Sequence, residues 1–558
     1  MREEELAGFE KQLFALAVDV DTDPKRVLAE LPPMVHGFYG QGPIELKSEQ
    51  AAHVLMNCAG VLIDSAMRVR NVAYLGMADM WLADVLESYQ LEENVKAVSD
   101  ALYFSANARI GLADISSENA VHELVDDGER PKQEMWHLAQ AVARWNGRDL
   151  LRDGRYNLTW SARILGGADP DGEGRRWCNL ANSLDHSGRW VEAYDTYMKA
   201  LEADRTNGNA AGNAAVLIGW AIGRGWDFEG HMCSLFDHYL AMAHQNRART
   251  VEVAGEDAAR RFDKMELLGA HAPLRVEPAT GDAYQAWVAK HRLALVAGLE
   301  GVGASDVEGR WDTINLNQVS GSPTDAGMPT ILDILNVLKG DYLVARRLGF
   351  EASQAFAENE GWTQGEDDPG VYTDTLQNAV VGETSAKLVL AHRAALDVLD
   401  KTAVALNEHL GIGDRPDKVN FRTFWFEPEK KTENRYDTLR ASLLAHAPIT
   451  LQVLAMAELA YDMTVGGVHA DAQRVRNAGT HRFVMLHQDL HEVDSTLTMQ
   501  AIPVREMVDT MLESLSVSRA AFIYLVDMLS AVEADKFKQA EKAGATWPKK
   551  TLPMINTL

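Results

Sequence analysis

The stretch that decides the fold is "WCNLANSLDHSGRWVEAYDTYMKALEAD", residues 177–204. Trp177, Leu180, Ala181 and Leu184 recur at steps of three and four, which sets them on one face of a helix. Gly188 interrupts the pattern and supplies the residue a tight turn needs. Ala193, Tyr197 and Ala200 then line one face of a second helix, with small side chains where the two helices must approach closely. The stretch therefore reads as a helical hairpin. One hairpin cannot bury its own apolar face, so the reading requires further helix pairs on either side.

The rest of the chain is consistent with that requirement. Ala, Leu, Glu, Met and Arg dominate, apolar residues recur at helical spacing, and strand-like alternation is scarce. The best strand candidate, "VNFRTFWFEP" (419–428), reads as a decoration of a helical fold. The expected class is all-α. The hairpin resembles a tetratricopeptide repeat, with Arg205 where the usual terminal Pro would stand, and "GNAAGNAAVLIGWAIGRG" (208–225) keeps the small-residue face. That resemblance implies an array with a concave surface for a protein or peptide trigger.

Three Gly-, Pro-, Asp- and Ser-rich stretches, 166–175, 319–329 and 361–370, mark boundaries. They divide the chain into an N-terminal helical region (1–165), a tetratricopeptide-like region (166–328) and a C-terminal helical bundle with a tail (329–558). At ~100–200 residues per domain, 558 residues accommodate about three such units. The bundle's predicted helices run over 373–411, 434–464 with a kink at Pro448, 469–488, and onward from Pro503. Packed antiparallel they make a bundle. A further helix at 329–358 is expected between bundle and repeats.

The formal net charge of -27 disfavours broad attraction to nucleic acid or anionic lipid, so any RNA must be held at a local basic site. Cys58, Cys178 and Cys233 are too scattered for a disulfide framework or a paired-Cys zinc site. The charged start "MREEELAGFEKQLF" has no signal-peptide core, and no apolar run of membrane length stands out. The expectation is a cytoplasmic protein that does not engage a membrane.

Within the third bundle helix lies "RVRNAGTHRFVMLHQ", residues 474–488. Cutting RNA without a metal needs a base for the ribose 2′-OH, a cation for the charge that builds on phosphorus oxygens, and an acid for the leaving 5′ oxygen. His481 can act as base or acid near neutral pH, Arg476 suits the phosphate, and Asn477 can orient either. Asn477 and His481 are one turn apart, whereas Arg476 diverges from His481 by roughly 140° on an ideal helix. A complete site therefore calls for a second copy facing the first. Spacing alone singles out nothing, because Arg130 with His137, Arg224 with His231, Arg440 with His446 and Arg482 with His487 have similar gaps. What distinguishes this motif is the polar Asn477 and the small Ala478, Gly479 and Thr480, which leave the groups accessible. The structural alternative is that Arg476 and His481 are solvated or satisfy a helix end.

Arg476-Asn477, three residues and His481, on the third long helix of a C-terminal bundle, resemble the higher eukaryote and prokaryote nucleotide-binding (HEPN) superfamily, particularly bacterial members fused to tetratricopeptide-like repeats. "GDYLVARRLGFEAS" (340–353), "ALDVLDKTAVALNEHLG" (395–411) and "VNFRTFWFE" (419–427) are similar to that subgroup in the same order. The resemblance implies a metal-independent endoribonuclease, dimeric or a higher homo-oligomer, in bacterial defence or toxin systems. It would leave 2′,3′-cyclic phosphate and 5′-hydroxyl ends and need no cofactor. It also implies a supporting acid on the preceding helix, for which Glu458 and Asp462 are both candidates. Arg474 and Arg482 flank the motif as candidate phosphate contacts.

Other features carry less. His231, Cys233, His238 and His244 do not form a clean ligand face, so no metal is expected there. "GVGASDVEG" (301–309) lacks the Lys-Ser/Thr of a phosphate loop. The Lys-rich tail 536–550 with Trp547 is the remaining basic contributor near the bundle. The competing reading is a non-catalytic scaffold whose bundle dimerises and whose repeats grip a partner.

Overall fold

The computed structural model describes residues 3–40, 46, 49–88, 94–125, 133–226, 230–269, 282–295, 312, 314, 316, 318–320, 329–358, 369–373, 379–428, 435–488, 495–544 and 549–551. The protein is all-α with a few short strands, and its core falls into two clusters.

The first cluster belongs to the N-terminal helices Glu3–Ala17, Pro24–Tyr39, Glu49–Val69 and Val72–Ser88, with part of Val95–Val125. Asp23 caps the second of these, accepting the Arg26 N–H at 3.1 Å, with Pro24 opening the helix where a missing N–H costs nothing. Helix Val95–Val125 faces both ways. Its Ala101, Ala108 and Ile115 join the first cluster, while Ala106 joins the second.

The second cluster is continuous from Ala106 to Val532, so residues 166–328 and 329–558 share one core. Helix Arg148–Leu165 packs on Pro170–His186, which packs on Trp190–Ala203, then Gly208–Gly223, then His231–Gln245. The expected hairpin is the centre of this stack. Asp169 caps its first helix, accepting the Gly172 N–H at 3.0 Å. Gly188 turns the chain with φ of +74°. A Cβ at Gly188 would also come within 3.2 Å of the Leu451 carbonyl, so the turn is seated directly on the C-terminal bundle.

In that bundle, helices Thr330–Glu358 and Glu383–Leu410 pack antiparallel, linked by Lys401 to Asp341 and Lys387 to Glu351. The long helix Val504–Lys542 packs against both. It is long and apolar enough to cross a membrane by length and composition, contrary to the expectation that no run of membrane length is present. However, 83% of its apolar window is buried inside the protein, as in a core helix. Two small sheets trim the bundle. Strand β1 (Gln318–Ser320) pairs antiparallel with β5 (Lys549–Thr551). Strand β3 (Phe483–His487) lies between β2 (Ala379–Val380), antiparallel to it, and β4 (Met499–Pro503), parallel to it.

Four boundary expectations change. The helix placed at 373–411 begins at Glu383. Pro448 breaks the expected 434–464 helix instead of kinking it: Ala441–Leu444 and the tight turn Ala447–Ile449 precede Thr450–Asp462. A proline lacks the N–H and crowds the carbonyl four residues back, and here the helix restarts after it. The motif helix, Ala470–His481, ends before the β-branched and aromatic "FVMLH", which pairs as β3. The strand candidate 419–428 is instead the short helix Phe421–Phe424 followed by a lone bridge from Phe426 to Leu439. Residues 301–309 and Trp547 lie outside the described residues.

Candidate active site

The motif helix Ala470–His481 lies across helix Glu383–Leu410 and is fastened to it near both ends. Toward its start, the buried His392 donates from Nε2 to the Ala472 carbonyl at 3.1 Å, and its Nδ1 meets the Ser514 hydroxyl of the long helix at 2.9 Å. Burial pushes the His392 pKa down to about 4 and the nearby Arg476 charge adds to the drop, so this imidazole is neutral at pH 7. Toward its end, Gly479 packs on Arg393 and Val389, with the Arg393 Cδ only 3.2 Å from where a Cβ would stand.

Arg476 projects toward the same neighbour. Its guanidinium bonds Asp397 at 2.7 Å and Asp400 at 2.6 Å. Asp400 also accepts the Phe421 N–H at 2.7 Å, which brings the "VNFRTFWFE" segment to the site. Burial works against the Arg476 charge, but Asp400 and Asp397 outweigh it and hold the guanidinium pKa above its ordinary value. Asn477 is exposed, and its carbonyl oxygen accepts from Gln473 at 2.9 Å. Arg474 is exposed and paired with Asp471 at 3.1 Å, and Arg482 is exposed just past the helix. His481 closes the helix, but its side chain lies outside the described residues.

The supporting acid expected at Glu458 or Asp462 is not the one at Arg476. Both of these carboxylates are buried and committed to arginines from the N-terminal half. Glu458 takes Arg155 at 2.7 Å, Arg144 at 3.3 Å and the Ser187 hydroxyl at 2.6 Å. Asp462 takes Arg155 at 2.8 Å and also Arg189, in the turn of the hairpin. A carboxylate buried this deeply needs fixed partners, and the arginines of the N-terminal half supply them. The acids that meet Arg476 are Asp397 and Asp400, on helix Glu383–Leu410. Their spacing in "HRAALDVLD" (392–400) places both on one helical face, a signal legible in the sequence but equally that of a solvated surface.

The ionic network reaches the head of the motif helix. His469, immediately before Ala470, meets Glu513 at 2.6 Å through Nδ1 and lies 3.7 Å from Glu192 through Nε2. Burial opposes its charge, but the two carboxylates, Glu192 and the hydrogen-bonded Glu513, prevail and raise its pKa to about 9. Burial would likewise raise the two glutamates, yet Arg189 and His469 hold Glu192 at about 2, and His469 and Arg163 hold Glu513 at about 2. Among the described residues, no group of three or more His, Cys, Asp or Glu side chains is arranged to hold a metal ion.

Residues 322–532 match the family model of the LA2681-like HEPN domain. The matched segment contains the motif helix, both aspartates at Arg476 and most of the long C-terminal helix, and it supports the HEPN superfamily for this part of the chain. Everything before residue 322 lies outside the match. No curated protein and no solved structure matches the chain.

Proposed function

We propose that the protein is a metal-independent endoribonuclease of HEPN type, acting as a homodimer or higher homo-oligomer. The observation that carries this reading is the surface motif helix inside the HEPN-matching segment, with Asn477 exposed and Arg476 oriented by two carboxylates. In the proposed reaction the ribose 2′ oxygen attacks phosphorus and the bond to the 5′ oxygen breaks. One proton leaves the 2′-OH and another reaches the 5′ oxygen. His481 of one protomer serves one transfer and its counterpart in the partner serves the other. Arg476 offsets the charge on the non-bridging oxygens and Asn477 orients the phosphate. The products are a 2′,3′-cyclic phosphate and a 5′-hydroxyl. The cellular role we assign is that of a bacterial defence or toxin effector, controlled through its helical repeats by a protein or peptide trigger.

A second reading has its own observation. Asp397 and Asp400 more than neutralise Arg476, which suits a scaffold that uses this helix for dimerisation, and the net charge of -27 agrees. One experiment separates the two. Purified protein is incubated with total RNA in EDTA beside the His481→Ala variant. The enzyme reading expects cleavage by the wild type that the variant has lost. Cleavage retained in the variant would dismiss the site, and an inert wild type would leave the scaffold.

A further inference from the structure

Arg476 is the motif's arginine, but its charge is already spoken for. Asp397 and Asp400 both bond the guanidinium, so the trio is net negative before any phosphate arrives. A protein of net charge -27 that binds RNA here needs a cation whose counter-ion is the RNA itself. Lys387 does not qualify, being paired with Glu383 at 2.9 Å and Glu351 at 3.4 Å. Lys401 is paired with Asp341, and Arg474 with Asp471.

Two arginines near the motif are different, with no ion pair among the described residues: Arg482, exposed just past the motif helix, and Arg393, which alone of the two packs against the motif itself. Arg393 is half-buried on helix Glu383–Leu410, one turn before Asp397, and makes no ion pair or hydrogen bond with the described residues. Asp397, its natural partner four residues on, is used by Arg476. The Arg393 stem is nonetheless fixed. Its Cδ and Cγ lie 3.2 and 3.8 Å from the position a Cβ would take at Gly479, in the middle of the motif. Gly479 lies roughly 60° around the motif helix from Arg476, so both arginines serve the flank that faces helix Glu383–Leu410. The glycine weakens its helix, and in return its bare backbone makes room for the arginine stem.

Resting on the RNA reading, we infer that Arg393 is a phosphate-binding residue of this site, holding the RNA backbone along the Gly479 flank while Arg476 is fixed by its aspartates. Gly479 is the positioning residue for it. The planar guanidinium, anchored by its stem and without a counter-ion among the described residues, is suited to donate bidentately to a phosphate.

The test is binding of the full chain to a labelled 2′-O-methyl oligoribonucleotide across a salt series. This probe keeps the phosphates but lacks the hydroxyl that cleavage requires. Arg393→Gln is expected to weaken binding about tenfold at low salt. It is also expected to flatten the slope of log affinity against log salt by about 0.7, the value for one phosphate on a single strand. Arg393→Lys keeps most of the slope, and Lys387→Gln, on the same helix but already paired, changes neither quantity. Gly479→Ala weakens binding in the wild type and adds nothing in the Arg393→Gln background. If the wild type binds and Arg393→Gln leaves the slope unchanged, the assignment of Arg393 falls while the RNA reading stands. If the wild type does not bind the probe at any salt, the RNA reading falls and takes this assignment with it.

Discussion

Replacing His469 by glutamine should remove a pH-dependent share of the protein's stability. With His469 charged, five cations (Arg144, Arg155, Arg163, Arg189 and His469) face five carboxylates (Asp114, Glu192, Glu458, Asp462 and Glu513). Neutral His469 would leave a surplus negative charge in a buried setting. Its contacts with Glu513 and Glu192 accordingly raise its pKa to about 9 against the opposing effects of burial and Arg189. The sign follows from linkage. A base whose pKa is raised by folding stabilises fully below its unfolded pKa of ~6.5, and that contribution is lost as pH climbs through ~9. Between those limits the proton contributes about 3 kcal/mol at pH ~6.5 and about 1 kcal/mol at pH ~8.5. Glutamine fills a similar space and carries no proton to lose. Urea unfolding of wild type and His469→Gln, followed by tryptophan fluorescence, should therefore show a stability gap that shrinks by about 2 kcal/mol over that range. Taking the difference cancels His291 and His392, whose pKa values of about 4 give them the opposite trend. The same subtraction cancels the thiols of Cys58 and Cys178, which burial pushes up to about 12. A gap that stays constant across the range would mean that His469 is neutral in the folded protein, and the charge-balance argument would be wrong.

Two further substitutions test the packing that carries the site. Asp462→Asn takes from Arg155 and from Arg189 one of the two carboxylates each is buried against, leaving a surplus positive charge in the interior, and should cost about 3–5 kcal/mol in urea unfolding; a loss below about 1 kcal/mol would show the network to be dispensable. Gly188→Ala forces a side chain onto φ of +74° and against the Leu451 carbonyl, so the melting temperature should fall, with at least ~1–2 kcal/mol from the backbone alone. Gly340→Ala, inside helix Thr330–Glu358 with nothing within 4 Å of the added Cβ, should raise it by roughly 0.5–1 kcal/mol of stability. Equal effects from the two glycine changes would remove the argument that the hairpin turn is seated on the bundle.

Local patterns were enough for much of this. Helical periodicity, the Gly188 turn and the order of the C-terminal blocks are properties of neighbouring residues, and they specify an all-α chain with a hairpin in its middle and a polar motif late in a helical segment. The motif helix starts where its spacing places it and carries Arg476 and Asn477. The helix ends were less legible. "FVMLH" continues a helical pattern on paper but becomes a strand because β2 and β4 offer it partners, and no pattern within the segment announces them.

The partners of the site's charges belong to the tertiary structure alone. Arg476 meets Asp400 across 76 positions of sequence, and Arg155 meets Asp462 across 307. Glu458 and Asp462 look like available acids in the sequence, one turn apart on the helix before the motif. Folding buries them against Arg144, Arg155 and Arg189 and leaves Asp397 and Asp400 to meet Arg476. The physical reason is that a sequence states which groups can carry charge, whereas burial decides which of them must be paired, and with whom. The sequence by itself determined the helices, the turn and the chemistry available at Arg476, Asn477 and His481. Only packing decided that Arg476 is held by two aspartates, that Arg393 has no counter-ion among the described residues, and that the repeat-like hairpin and the start of the motif helix share one buried ionic network.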